Sequence, residues 1–378
     1  MKIPEHISLY VHIPWCEKKC LYCDFNSHEI RESIPEEYYL DALLRDISEN
    51  RKYLIDRKIM TVFFGGGTPS TMSSKFYGKF LTQLRNNYDV DRSAEITLEA
   101  NPGTSDEEKL GGYFDVGINR ISIGAQTLND RLLAVIGRVH SADQAYSSLE
   151  TARSLFANMN VDLMFALPGQ TLEMLDDDLR AVAAIRPDHL SIYHLTVEPN
   201  TWFAKHPPQL PSDDLAFEMQ EHIGDFAQQH GYLGYEVSAF CSPSKQSKHN
   251  LNYWEFGDYL GVGAGAHSKI SDSEGVIRFA KYKQPKQYMD HVMTHSGIQA
   301  QHRVDVESLP FEFFMNALRL LDGVPITLFE DRTGLSIRAV SSKIDHLVSV
   351  GLLDMSENRI RTTRKGMSFL NDVLQQFL

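Results

Sequence analysis

Ser8-Leu-Tyr-Val-His-Ile-Pro-Trp-Cys16-Glu-Lys-Lys-Cys20-Leu-Tyr-Cys23 joins a strand-like run directly to three cysteines. Residues 8–13 read as a strand, and the thiols at 16, 20 and 23 fall in the loop that follows it. The chain has four cysteines in 378 residues, and three of them lie within these eight positions. In a cytosolic chain an odd cluster of this kind is poor material for disulfides and good material for a metal. Thiolates are the usual ligands of iron–sulfur clusters, and three of them hold three irons of a 4Fe–4S cube. The fourth iron is then open to a chelating small molecule. The alternative is structural zinc with His12 or His28 as fourth ligand, but a large fold has little need of it.

Working outward, short branched runs alternate with segments of helical period. Strands are expected at 8–13, 60–64, 94–99, 119–124, 160–166 and 188–195. Helices are expected near 36–55, 72–87, 105–115, 141–157 and 171–185. Six strands spaced by helices imply an α/β fold with a parallel sheet and right-handed crossovers. Polar residues gather where strands end: Gly65-Gly66-Gly67-Thr68, Glu99-Ala100-Asn101-Pro102 and Gln126. That is the signature of a partial (βα)6 TIM-like barrel, whose sites form at the strand C-termini. A doubly wound sheet would instead want its ligand at one switch point.

Further on, 213–230 is an amphipathic helix capped by Ser212 and ended by Gly231, with a strand after it at 232–240. From about 305 the pattern becomes mostly helical: 310–322, 336–350, then two short strands around Ser356-Glu357-Asn358, a winged-helix-like order. Three regions result: 1–240, the barrel with its cysteine loop; 241–304, a connecting segment that carries the HNLNYW motif as a site of its own; and 305–378, the C-terminal domain.

A net charge of −13 argues against a general nucleic-acid binder, since phosphate neutralisation needs a basic face. The candidate recognition helix, 336–350, carries only Arg338 and Lys343 against Asp345, so no nucleic-acid partner is expected. No apolar stretch approaches the ~18 residues of a membrane-spanning helix, and the N-terminus reads straight into a strand, so the expected location is cytoplasmic.

The cysteine loop resembles that of radical S-adenosylmethionine (SAM) proteins, specifically the group of oxygen-independent coproporphyrinogen oxidases and HemW-type heme chaperones. The resemblance runs through nearly the whole chain: GGGTPS (65–70), EANPG (99–103), NRISIGAQT (119–127), VDLMFALPGQT (161–171), HNLNYW (249–254) and FEFFMNALRLL (311–321). It implies that Cys16, Cys20 and Cys23 hold a 4Fe–4S cluster whose open iron takes the amino and carboxylate groups of SAM. Reductive cleavage of the sulfonium, giving a 5′-deoxyadenosyl radical, is the cofactor's own chemistry. Carried over by position, Tyr10, Tyr22, Gly66, Gly67, Thr68, Glu99, Gln126, Arg138 and Asp162 are the expected SAM contacts. Taken singly, Glu99, Gln126, Arg138 and Asp162 would each read as a buried polar residue satisfied by the backbone, and the glycines as a βα turn. Asp162 starts its expected strand rather than ending it, which makes it the weakest of them.

Two departures separate the chain from the oxidases it resembles. Phe25 stands where they carry a further cysteine, and the first strand begins by residue 8, without their long N-terminal arm. Both features place it with the HemW-type chaperones and imply a heme carrier that passes heme to acceptor proteins, membrane respiratory enzymes among them. The alternative is a radical SAM oxidoreductase acting on a porphyrinogen. The resemblance also implies a cluster-dependent homodimer and peripheral contact with the inner membrane face. In HNLNYW, His249 is the expected heme iron ligand, with Tyr253 and Trp254 packing against the porphyrin. Cys241 and His267 are rival ligands.

Overall fold

A computed structural model describes residues 1–378. Six strands run parallel in sequential order: β1 His6–Ile13, β2 Lys58–Gly66, β3 Val90–Ala100, β4 Arg120–Gln126, β5 Met159–Phe165 and β6 His189–His194. Between them lie α1 Glu36–Glu49, α2 Ser74–Asn87, α3 Glu107–Asp115, α4 Ala142–Leu155 and α5 Leu172–Ile185. The expected αβ order is thus realised as a partial barrel; most expected strand and helix ends fall within a few residues of the observed ones, while α1 stops at Glu49, six residues before its expected end.

The strands alternate in character even though parallel strands buried on both faces usually read as continuous apolar runs. Ile7, Leu9, Val11 and Ile13 of β1, with Ile121, Ile123 and Ala125 of β4, join the main hydrophobic core. The intervening residues, Ser122, Gly124 and Gln126 among them, face a cavity inside the sheet's curve. Side chains of a strand alternate between its faces, so a barrel whose lumen is a polar site must alternate in this way.

α6, Asp213–Gln229, is capped as expected: the Ser212 hydroxyl accepts from Leu215 N, and Gly231 follows at φ 81°. The single strand expected at 232–240 is a hairpin, β7 Leu233–Glu236 and β8 Ala239–Cys241, which closes one sheet edge antiparallel to β6. The stretch 241–304, expected as a connector, extends the other edge. There β9 Tyr259–Val262 pairs parallel with β1, and β10 His267–Asp272, β11 Gly275–Lys281 and β12 Ile298–Arg303 follow antiparallel. The full sheet has twelve strands. These added strands are short and polar-interrupted, and β10 contains Lys269, a residue that reads as surface. Lys269 is instead buried against Asp258, with Nζ 3.0 Å from a carboxylate oxygen.

A second core forms beyond the sheet. Leu309–Ala317, Ile326–Thr333 and Ser341–Ser349 are helical, and Val324–Pro325, Leu353–Asp354 and Arg359–Thr362 make a three-stranded sheet, the winged-helix-like arrangement expected. At its centre Phe314 stacks on Phe329 and Phe377, and Phe313 meets Phe329 edge-on.

Candidate functional site

The loop after β1 is stitched to the Gly-rich end of β2. Gly67 N donates to Ile13 O and Thr68 N to Trp15 O, each at 2.7 Å. A side-chain carbon at Gly67 would lie 2.6 Å from Trp15 O, and one at Gly66, at φ 116°, would lie 2.5 Å from the His12 ring. The glycines therefore serve first to bring two stretches of this chain's own backbone together, rather than only to admit a ligand. The Thr68 hydroxyl then reaches the Cys16 Sγ at 3.3 Å. Arg138 donates to Gly124 O at 2.7 Å and lies 3.6 Å from the Cys20 Sγ. Ser27 Oγ stands 4.0 Å from the Cys23 Sγ.

All three thiols face one cavity of about 390 Å³ at the C-terminal mouth of the barrel. Burial pushes the Cys16 and Cys23 thiols up from their ordinary pKa. A bound metal would hold them as thiolates, and the donors beside each sulfur would favour that charge. No three His, Cys, Asp or Glu side chains stand close enough to share a single metal ion. Nor does His12 wait as a fourth ligand: its Nδ1 meets Tyr10 OH at 2.9 Å and its Nε2 meets Asn26 O at 2.8 Å.

Eight of the nine expected SAM contacts line the same cavity: Tyr22, Gly66, Gly67, Thr68, Glu99, Gln126, Arg138 and Asp162. Tyr10 does not; it lines a neighbouring cavity and stacks on Phe63. Gln126 takes φ 66°, a left-handed conformation uncommon for a residue other than glycine, at the point where β4 ends. Asp162, expected at a strand start, sits mid-strand in β5, where it accepts from Ser122 Oγ at 3.0 Å and Asn160 Nδ2 at 2.8 Å. Its place in the sheet's register, opposite Gly124 and Ser191, sets it on the cavity floor. Burial and the nearby Asp162 push Glu99 up to about 8, although the Gly66 amide partly offsets this. Asn101, from the polar end of β3, lines the cavity too, as do Ser122 and Tyr193, which the sequence reading did not single out. Strand parity with Asp162 and Gln126 was the available signal.

The HNLNYW stretch is placed differently from expectation. It is a short helix, α7 Lys248–Trp254, packed against β2. The Glu95 carboxylate accepts from Lys248 N and His249 N, both at 3.1 Å. His249 is 1% exposed, with Nδ1 2.7 Å from Thr61 Oγ1, Nε2 2.8 Å from Tyr253 OH, and its ring stacked on Phe63. Both nitrogens are engaged, so the expected iron ligand is held as an interior hydrogen-bonding residue. Cys241 is buried and away from both cavities. Tyr253, Trp254 and His267 line the second cavity, of about 920 Å³, which shares Gly66, Glu99 and Phe25 with the first.

An open α/β barrel carrying three thiols in the loop after β1, with the polar ends of consecutive strands converging on them, defines a protein built around a site-open iron–sulfur cluster. A family model described as the Radical SAM superfamily matches residues 10–182, and the HemN C-terminal domain matches 304–369. The heme chaperone HemW of Haemophilus influenzae is 44% identical over 383 residues, covering 100% of this chain and 99% of that one. HemW of Escherichia coli is 40% identical, with coverage of 100% and 99%. Among solved structures, the Escherichia coli coproporphyrinogen III oxidase HemN, a radical SAM enzyme, superposes with a TM-score of 0.83 at 25% identity, over 100% of this chain and 90% of that one. The chain belongs to the HemW family of the radical SAM superfamily. Membership carries a 4Fe–4S cluster and SAM, and the three thiols with their donors fit the cluster.

Proposed function

We propose that this chain is a heme chaperone, holding heme and passing it to acceptor proteins while carrying its cluster and SAM. One observation carries the reading: a cavity of about 920 Å³ opens beside the cluster pocket, with Phe25 (59% exposed) at the shared boundary. An exposed aromatic where the oxidases carry a further cysteine gives the loop an apolar face and no extra thiolate. Cys16, Cys20 and Cys23 hold the cluster in this proposal. Tyr22, Gly66, Gly67, Thr68, Glu99, Gln126, Arg138 and Asp162 line the place of SAM, and the polar strand ends orient it.

Acceptors, by family resemblance, include membrane respiratory enzymes, and the homodimer depends on the cluster. We place the chain in the cytosol with peripheral contact at the membrane face. No helix is long and apolar enough to cross a membrane.

The second reading, porphyrinogen oxidative decarboxylation, draws support from the 0.83 superposition on the oxidase. One preparation tests both. After anaerobic cluster reconstitution, the chaperone reading expects saturable heme binding and transfer to an apo-acceptor, with coproporphyrinogen left unchanged in the presence of SAM and reductant. Cluster-dependent turnover of coproporphyrinogen would overturn it.

A further inference from the structure

The larger cavity is bounded by the cysteine loop on one side, by β9–β11 on another, and by the helix Leu309–Ala317 of the C-terminal unit. Its size suits a mid-sized organic ligand. Phe25 and Trp254 give it aromatic surface, and Lys19 and Lys283 give it cations. Flat apolar surface with cations beside it matches a planar apolar macrocycle bearing carboxylate tails.

Iron adds a demand for a side chain with a free lone pair. Three histidines lie on this wall. His12 has both ring nitrogens engaged, and His28 directs Nε2 to Lys283 O at 3.2 Å. The wall tyrosines Tyr10, Tyr253 and Tyr259 have their hydroxyls bonded to His12, His249 and Arg278. His267 differs: it opens β10 at the cavity wall, is exposed, and makes no side-chain hydrogen bond. Desolvation by the cavity wall, then Lys283 and Arg278 nearby, lower its pKa from the ordinary value, which favours the neutral imidazole with its lone pair. Exposure also suits a carrier, since a ligand at the open wall can release its iron without unpacking the barrel. Arg278 is already paired with Glu312 at 2.5 Å, whereas the Lys283 ammonium has no such partner.

We propose that cargo heme lies in this cavity with His267 ligating its iron and Lys283 facing a propionate. The proposal rests on the chaperone reading and sharpens it. His249 then has a different task, locking α7 and aiming Tyr253 at the cavity.

Ferric heme is titrated into cluster-loaded wild type, His267→Ala, Lys283→Glu and His249→Gln, and read by electron paramagnetic resonance. The oxidised cluster is diamagnetic, so the heme signal is seen alone. Expected are an imidazole-ligated signal in wild type and His249→Gln, and its loss in His267→Ala with at least tenfold weaker binding. Added imidazole should restore the signal in His267→Ala, and Lys283→Glu should weaken binding while keeping it. A ligated signal unchanged in His267→Ala, or lost only in His249→Gln, would overturn the assignment while leaving the chaperone reading intact. Absence of heme binding in wild type would overturn both.

Discussion

The Nε2 of His249 and the hydroxyl of Tyr253, one helical turn apart in α7, lie 2.8 Å from each other beneath the larger cavity. With Thr61 on the other nitrogen, the imidazole bridges a barrel strand to the helix. Replacing His249 with Phe leaves the hydroxyls of Thr61 and Tyr253 short of a partner. A cost of about 1–3 kcal/mol is expected, because a buried polar group deprived of its partner keeps its desolvation penalty. Urea unfolding of the cluster-loaded protein measures it. A variant of unchanged stability would show that this bridge contributes nothing to the fold.

Thr68 and Cys16 give a second expectation. The hydroxyl donates to the sulfur at 3.3 Å, and donors to cluster sulfurs stabilise the reduced, more negative state. In Thr68→Val the cluster should assemble with normal iron content. Its midpoint potential should fall by ~40 mV, the equivalent of ~1 kcal/mol for one electron. Redox titration followed by optical and magnetic spectra decides it, and an unmoved potential would remove the hydrogen bond from the account.

Glu99 should make SAM binding pH-dependent. Burial and Asp162 hold its pKa in the empty pocket at about 8, so below that value the carboxyl is mostly protonated. A cationic sulfonium nearby favours the ionised form, so binding releases a proton and affinity rises with pH until the empty-site value is passed. Below pH 8 the affinity should fall about tenfold per unit if SAM takes only the ionised form. Calorimetry in buffers of different ionisation enthalpy reads the proton directly. Glu99→Gln should bind with a flat profile; a slope persisting in that variant would assign the proton elsewhere.

Gly67 tests whether the loop stitch builds the cluster site. A methyl group there meets Trp15 O at 2.6 Å and Ile13 O at 2.9 Å, both backbone atoms that cannot swing aside. Gly67→Ala should cost about 1–3 kcal/mol, as overpacking does, and lower cluster occupancy. The control is Gly224→Ala on α6, where nothing lies within 4 Å of the added carbon and occupancy should stay normal. Equal iron content in both variants would mean that the cysteine loop forms without the stitch.

How far the sequence reached differs between the barrel and its contents. The cysteine spacing, the αβ rhythm and the polar strand ends are local signals, carried by neighbouring residues, and they fixed six strands, five helices and the place of the cluster loop. Strand parity also held the lumen residues, although Asp162 looked misplaced until the register set it opposite Gly124. The strands of 259–303 were not legible, because their identity comes from pairing with β1 and with one another. Lys269 shows why: its burial depends on Asp258, eleven residues away in sequence and 3.0 Å away in space.

The two histidines mark the same boundary. By itself the sequence determined a three-thiol cluster loop at the mouth of an α/β barrel, because the loop's chemistry lies within eight consecutive residues. It offered His249 as the heme ligand, by resemblance, with His267 as a rival, since a histidine's availability is not written in its neighbours. Only the tertiary structure shows how differently they are set, one between Thr61 and Tyr253 in the interior and the other unbonded on a cavity wall. Lone pairs already held in hydrogen bonds are not free for a metal, and that depends on contacts made across the whole fold.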